Sequence, residues 1–430
     1  MSRYAVIGAG PSGLAIARAL QMRGIEVEGY EASHGVGGLW DITNPRSTMY
    51  ESAHLISSRT TTEFSEFPMA SDVDYPSHRV LRDYFRSYAD RFGLTSLFRF
   101  DTRVTRLEPR DGGWDIAYEG PDGTGTRWYA GVVIANGTLA EPNMPSFVGE
   151  FTGELMHTSA YKSAAQLDGR RLLIVGAGNS GCDIAVDGVH HAASVDLSVR
   201  RGYYFVPRYL FGRPSDTLNQ GRPLPARIKQ AVDSRVLKAF TGDPVRFGFP
   251  TPDYRIYESH PIVNTMVLNH LGQGDLRVRA DVERFDGRTV RFRDGSSGDY
   301  DLVMLATGYR LDYPFVDREH LQWRGSSPRL FLNMFPATFN GLYMMGMIEA
   351  SGIGWQGRFE QAKLLASYLA ASERAPESAE RFRERVTGSP WPDVTGGYRY
   401  LGLDRMAYYV NNHAYRSAVR REREALERAG

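Results

Sequence analysis

Tyr4-Ala5-Val6-Ile7-Gly8-Ala9-Gly10-Pro11-Ser12-Gly13-Leu14-Ala15 opens the chain and decides its fold. An apolar strand, Tyr4–Ile7, runs into Gly8-x-Gly10-x-x-Gly13. A helix pattern follows over Ser12–Arg23, with Leu14, Ala15, Ala17 and Leu20 on one face. A second strand, Glu26–Tyr30, leads straight to Glu31. Strand, glycine turn, helix, strand and acid in that order form the βαβ unit that cradles a dinucleotide. Gly8 permits the tight turn, and Gly10 lets the backbone around Pro11 and Ser12 approach a pyrophosphate. Gly13 lets the helix pack close to the strand. The helix turns its positive end toward the phosphates, and Glu31 can accept hydrogen bonds from ribose hydroxyls.

The unit occurs a second time. Strand Leu172–Val175 leads into Gly176-x-Gly178-Asn179-Ser180-Gly181, helix Ser180–Gly188 and strand Val195–Val199. This copy ends at Arg200-Arg201 where the first ends in a glutamate. A carboxylate repels a 2′-phosphate and a guanidinium binds it with paired hydrogen bonds, so the second site is expected to prefer NADPH over NADH. Two dinucleotides in one chain suit hydride transfer from a nicotinamide to a flavin, and FAD and NADPH are the expected cofactors. Cys182 is the only cysteine among 430 residues. Neither a disulfide framework nor a Cys-x-x-Cys pair is possible within the chain, which excludes a dithiol-type flavin reductase.

The expected fold class is α/β with two Rossmann-like dinucleotide-binding domains, one inserted in the other. Residues 1–160 form the first part of the FAD domain. Residues 161–299 form the NADPH domain, with an irregular aromatic insertion at 203–260. Residues 300–430 complete the FAD domain and add C-terminal helices, with strand Leu302–Leu305 and the turn Ala306–Tyr309 returning the chain to the first domain. Residues 41–75, rich in Ser, Thr and Pro, read as a long functional loop. Arg79–Phe92, Gly357–Ala371 and Asp404–Arg428 read as helices, Arg99–Glu119 as antiparallel strands and Gly131–Ala135 as a strand. Pro142 and Pro145 mark a domain crossing. Lys+Arg number 51 against 50 Asp+Glu, for a formal charge of +1. No global field favours nucleic acid or an anionic membrane, and no apolar run reaches bilayer length. With the first strand at Tyr4–Ile7 there is no room for a signal peptide, and a cytoplasmic protein is expected. No metal site is expected.

Just ahead of the second glycine turn stands Phe151-Thr152-Gly153-Glu154-Leu155-Met156-His157-Thr158-Ser159-Ala160-Tyr161. This stretch resembles the identifying motif of the class B flavin-containing monooxygenases. Related Baeyer–Villiger enzymes usually end the motif in Trp, and Tyr161 points away from them. Phe64-Ser65-Glu66-Phe67-Pro68, Asn136-Gly137, His260-Pro261-Ile262-Val263-Asn264 and Ala306-Thr307-Gly308-Tyr309 extend the likeness over most of the chain. Gly37-Gly38-Leu39-Trp40 is similar to the Gly-Gly segment that packs against the flavin's phosphate–ribitol side in two-dinucleotide flavoproteins.

The resemblance implies an enzyme that uses NADPH and O2 to form a C4a-hydroperoxyflavin. That species oxygenates a soft nucleophile, amine nitrogen or sulfide sulfur, of a small molecule. It implies that His157 serves architecture and coenzyme positioning, and that Thr307 and Gly308 belong to a domain link near the flavin. Family members commonly carry an Asn in the loop before the Phe-x-x-Phe-Pro segment. Here His54–Glu63 has none, and Ser57 or Ser58 is expected to supply the catalytic hydrogen bond. The alternatives are a Baeyer–Villiger-type ketone oxygenation, an NADPH oxidase releasing H2O2, and a nucleotide-binding electron donor or sensor without oxygenation. Tyr203, Tyr204, Phe205, Tyr209 and Phe211, and Tyr398, Tyr400, Tyr408, Tyr409 and Tyr415, either line an access path or pack between domains or subunits. A homodimer is the expected assembly.

Overall fold

The computed structural model describes residues 3–219, 224–338 and 340–428. Its frame is a pair of five-stranded parallel sheets of the same design. In the first the order is Leu342–Met344, Gly131–Ile134, Arg3–Ile7, Glu26–Tyr30, Phe98–Arg99. In the second it is Glu154–His157, Leu302–Leu305, Arg171–Val175, Ser194–Ser198, Leu276–Arg279. The strand that feeds each glycine turn is the central one. These strands are short apolar runs, as parallel strands covered on both faces must be.

Each sheet is covered by helix on one side and antiparallel strands on the other. Val6 and Val133 of the first sheet share a core with Leu14, Ala17 and Leu20 of helix Pro11–Met22 and with Leu364 and Leu365 of helix Gly354–Arg374. Its opposite face, Ala5, Ile7 and Val132, packs on Leu107, Trp114 and Ile116. These come from an antiparallel sheet of Arg103–Arg110, Gly113–Gly120 and Gly123–Tyr129. Leu172 and Ile174 of the second sheet pack on Cys182, Ile184 and Ala185 of helix Asn179–His191. Leu173 and Val303 meet Phe285, Val290 and Phe292.

Three expectations are corrected. Leu302–Leu305 does not return the chain to the first unit; it lies inside the second sheet, between Glu154–His157 and Arg171–Val175. The return comes one turn later, where Tyr309–Arg310 pairs antiparallel with Glu141–Pro142. The insertion is not irregular throughout: Ala226–Thr241 is a 16-residue helix, started after Pro225 and ended by Gly242 at φ +70°. Only Gln230 and Leu237 of it are buried, so its apolar periodicity is faint. Asp404–Arg428 is two elements, a short turn Asp404–Tyr408 and helix Asn412–Glu427. Tyr409 and Asn411 are extended, and the chain between the two elements runs through the buried Tyr409 and Val410. The Asn411 side chain then accepts from the Ala414 N–H at 3.0 Å to start the new helix.

Candidate active site

Both glycine turns are built alike. A Cβ on Gly13 would stand 1.8 Å from the Gly8 carbonyl oxygen, and one on Gly181 2.2 Å from that of Gly176. Helix and strand can approach this closely only without a side chain. Helices Pro11–Met22 and Asn179–His191 start at Gly10 and Gly178, and neither has a side-chain cap. Their first N–H groups are therefore available to an anion. Nothing lies within 4 Å of where a Gly178 Cβ would be, leaving open space for a pyrophosphate beside Asn179 and Ser180. Gly10 instead faces Gly38, whose Cα would lie 3.6 Å from a Gly10 Cβ. The Gly37 N–H donates to the Ala9 carbonyl at 3.0 Å, laying Gly37–Trp40 along the first turn. Leu39 and Trp40 belong to the short turn Gly38–Trp40, and the Trp40 ring stands edge-on to Trp355.

The hydrogen bonds register the two units residue by residue. Gly8 N–H donates to the Tyr30 carbonyl, and Gly176 N–H to that of Ser198. Glu31 N–H donates to Arg99, and Val199 N–H to Arg279. Glu31 of the first unit is thus matched by Val199 of the second. Glu31 is buried and held in place: Oε2 accepts from Ala9 N–H at 2.7 Å, and Oε1 from the backbone and hydroxyl of Ser33 at 2.8 and 2.7 Å. Val199 offers no charge at that place, and the arginines follow directly. Arg200 is exposed. Arg201 lies 4.0 Å from Asp253, and its Nε and Nη1 are buried with no hydrogen-bond partner among the described residues. A guanidinium with two idle donors beside a dinucleotide turn fits a phosphate.

The motif between the units acts as a clasp. His157 is buried; its Nδ1 accepts from Ser159 N–H at 3.1 Å, and its Nε2 meets the Gly308 carbonyl at 3.0 Å. Burial lowers its pKa, against the pull of the Gly308 carbonyl, so the ring is neutral and both nitrogens are engaged. Thr307 donates its hydroxyl to the Asn143 carbonyl at 2.6 Å, and Asn143 N–H donates to Gly308. Thr307, Gly308 and His157 therefore tie the crossing strands together. Tyr161 donates to Asp187 at 2.8 Å, and Ser52 donates to the same carboxylate oxygen at 2.5 Å. Tyr50 donates to Asp183 at 3.0 Å, while Lys162 Nζ reaches the Ser47 carbonyl at 2.6 Å. The long loop of the first unit is fastened to the second through these contacts.

Ser57 and Ser58 lie at the start of this loop's short helix, Arg59–Thr62. The Ser57 hydroxyl is bonded to the Thr62 hydroxyl at 2.7 Å, and Ser58 is buried with its N–H and hydroxyl both on Asp216. Sequence reasoning missed Asp216, which lies 158 residues away in the insertion. It also missed a chain of groups at the junction. His260 Nδ1 meets the Tyr409 hydroxyl at 3.2 Å, and that hydroxyl meets Ser351 Oγ at 3.1 Å. Only the His260-Pro261 motif hinted at it. Tyr257 of the insertion packs on Tyr398 of the C-terminal segment, ring centroids 6.0 Å apart, and within that segment Tyr400 packs on Tyr409 at 5.0 Å.

The model of the flavin-binding monooxygenase-like family matches residues 1–387. The chain is 30% identical to flavin-containing monooxygenase 5 of Cavia porcellus, over 92% of this chain and 80% of that protein. It is 31% identical to indole-3-pyruvate monooxygenase YUCCA1 of Oryza sativa subsp. japonica, over 81% of this chain and 87% of the other. The solved S-allyl-L-cysteine S-oxygenase of Allium sativum superposes with a TM-score of 0.67 at 19% identity, covering 99% of this chain and 91% of that one. The chain belongs to the flavin-binding monooxygenase family and is an FAD- and NADPH-dependent monooxygenase of small molecules.

Proposed function

We propose that the first glycine turn holds FAD, the second holds NADPH, and the oxygenated atom is an amine nitrogen or sulfide sulfur. The observation that carries the assignment of the two sites is the register between them. A fixed carboxylate, Glu31, stands where an adenosine ribose would lie in one unit. In the other, Val199 and the Arg201 guanidinium, whose Nε and Nη1 have no hydrogen-bond partner among the described residues, stand at the matching place. The carboxylate suits a dinucleotide without a 2′-phosphate and the guanidinium suits one with it.

When bound, NADPH supplies the hydride and FAD the electron transfer to oxygen. The chain's part is to bind, orient and exclude water. Gly8, Gly10, Pro11, Ser12 and Gly13, with Gly38, Leu39 and Trp40, form the bed of the first cofactor. Gly176, Gly178, Asn179, Ser180, Gly181, Arg200 and Arg201 form that of the second. His157, Thr307 and Gly308 hold the two beds in register. Ser57 and Ser58 shape the loop at the cleft. No activated protein nucleophile is required: Cys182, the one thiol, is buried, and burial pushes its pKa far up. The preference for nitrogen or sulfur is supported by Tyr161 in place of the Trp of ketone-oxygenating relatives. We also read the enzyme as a cytoplasmic homodimer. Among the described residues no helix is long and apolar enough to cross a membrane, and light scattering tests the assembly. Steady-state assay with a tertiary amine, a thioether and a cyclic ketone tests the substrate reading. Oxygen transfer to the first two is expected, and turnover of the ketone alone would overturn it.

A further inference from the structure

The turn Ser215–Asn219, which follows the small hairpin Tyr209–Leu210/Arg213–Pro214 of the insertion, brings Asp216 onto the loop of the first unit. Asp216 Oδ2 accepts three hydrogen bonds, from Ser58 N–H at 2.7 Å, Ser58 Oγ at 3.0 Å and Thr61 Oγ1 at 2.5 Å. Oδ1 is buried and accepts none among the described residues. None of the described lysines and arginines comes within ion-pair distance of it. The nearby Arg208 guanidinium lies over the Tyr75 ring, 5.4 Å from its centroid. One carboxylate oxygen thus carries three donors while the other lacks a partner among the described residues. A buried oxygen of this kind is stabilised by a donor, and best by a cation.

Its place in the fold says what could bring that cation. Thr61 packs against Gly354, whose Cβ would lie 2.5 Å from the Thr61 carbonyl oxygen. Gly354 begins the helix that follows the edge strand Leu342–Met344 of the first sheet. Between them, Gly346 lies against Ser12 of the first glycine turn. Through Thr61, Asp216 reaches the segment that leaves the carboxyl edge of the first sheet, the edge where open parallel sheets bind their ligands. Tyr75 lies close enough for the Asp216 charge to help raise its pKa, behind burial as the larger cause. Its ring meets that of Tyr209 at right angles, 5.5 Å between centroids. Arg208 already covers the Tyr75 ring, so the group left to receive an alkylammonium is the Asp216 Oδ1 oxygen itself.

We propose that Asp216 Oδ1 receives a protonated amine of the substrate, so that this enzyme selects soft nucleophiles carrying a second, cationic nitrogen. The proposal rests on the reading that oxygenation takes place at this edge. The ammonium is the handle and not the reacting atom, because a protonated nitrogen has no lone pair to give. For a thioether the balance is R2S + O2 + NADPH + H+ → R2SO + NADP+ + H2O, with the second oxygen atom leaving as water and the ammonium unchanged.

The test compares 2-(methylthio)ethylamine, cationic at pH 7.5, with 2-(methylthio)ethanol, its neutral counterpart, on the FAD-loaded enzyme. Sulfoxide formation gives kcat and KM, and calorimetry on the oxidised enzyme gives affinity without turnover. The wild type should favour the amine by about 10-fold or more, through KM. Asp216→Asn keeps an oxygen for Ser58 and Thr61 and removes the charge. It should bring the ratio near 1 while the alcohol changes by less than about 3-fold, the pattern of a lost charge pair. Equal affinity of the wild type for the two compounds overturns the proposal, and this comparison stands even where the variant fails to fold. An equal loss for both compounds in Asp216→Asn, with a fall in Tm, also overturns it and makes Asp216 a structural latch. If neither compound is oxygenated although NADPH reduces the flavin, the sulfide reading fails, and the calorimetric comparison still decides the fate of Asp216.

Discussion

Removing the Arg201 guanidinium separates a phosphate site from a surface charge. Its Nε and Nη1 are buried with no hydrogen-bond partner among the described residues, and its side chain is 26% exposed. A hydrogen bond to a charged group contributes about 1.5–3 kcal/mol. With two donors available and water competing at the open side, Arg201→Ala should lose about 2–4 kcal/mol of NADPH binding, or roughly 30- to 1000-fold in Kd. NADH has no 2′-phosphate, so its Kd should change by no more than about 2-fold on the same reasoning. The Tm of the free protein should hold or rise slightly, because the side chain brings two buried donors without a partner among the described residues. Arg200→Ala, at an exposed position, should weaken NADPH by less than about 5-fold, an effect that fades with salt. The assay is the anaerobic rate of flavin reduction against NADPH and NADH concentration, with fluorescence titration for Kd. Equal weakening of NADPH and NADH, or no weakening of either, would refute the reasoning.

Gly178→Ala and Gly181→Ala should separate binding from folding. The first places a methyl in open space, so its Tm should hold while NADPH affinity falls, and the second meets a carbonyl at 2.2 Å and should destabilise by about 1–3 kcal/mol in a denaturant titration. Acid should weaken the fold through His260, which burial and the neighbouring Arg405 push down from 6.5 to about 4. The unfolded chain takes up this proton first, so the stability is present above pH 6.5 and is lost as pH falls toward 4, about 2 kcal/mol by pH 5. His260→Asn should show correspondingly less loss between pH 7 and pH 5 in Tm or denaturant midpoint. His157→Ala should cost about 2–3 kcal/mol of stability through its lost hydrogen bonds and packing. It should leave the pH profile of kcat between 6 and 8 unmoved, and a profile that loses an ionisation in that range would make His157 a proton carrier.

Local patterns announced most of the fold. The two glycine turns, their strands and the Gly354–Arg374 helix depend on neighbours a few residues away, and the sequence displays them. Leu302–Leu305 was legible as a strand but not as a member of the second sheet, because parallel pairing with Arg171–Val175 spans about 130 residues and leaves no mark on either run. Helix Ala226–Thr241 has too few buried positions to show a period, and only Pro225 and Gly242 punctuate it. The active-site face divides the same way. Glu31 and the Arg200-Arg201 pair stand at strand ends where a reader expects them, whereas the matching of Glu31 to Val199 needs the ladder hydrogen bonds. Ser57 and Ser58 were legible as polar residues of the long loop, but not the bonds of their hydroxyls to Thr62 and Asp216, because Asp216 enters from a distant turn that no spacing rule connects to them.

The central claim is that NADPH on the second glycine turn reduces FAD on the first. Its most direct test is the visible absorbance of the FAD-loaded protein after anaerobic mixing with NADPH. The account predicts bleaching of the flavin band, faster with NADPH than with an equal concentration of NADH, and its return when oxygen is admitted. A flavin band that stays unchanged under NADPH, with the protein folded and FAD bound, would contradict it.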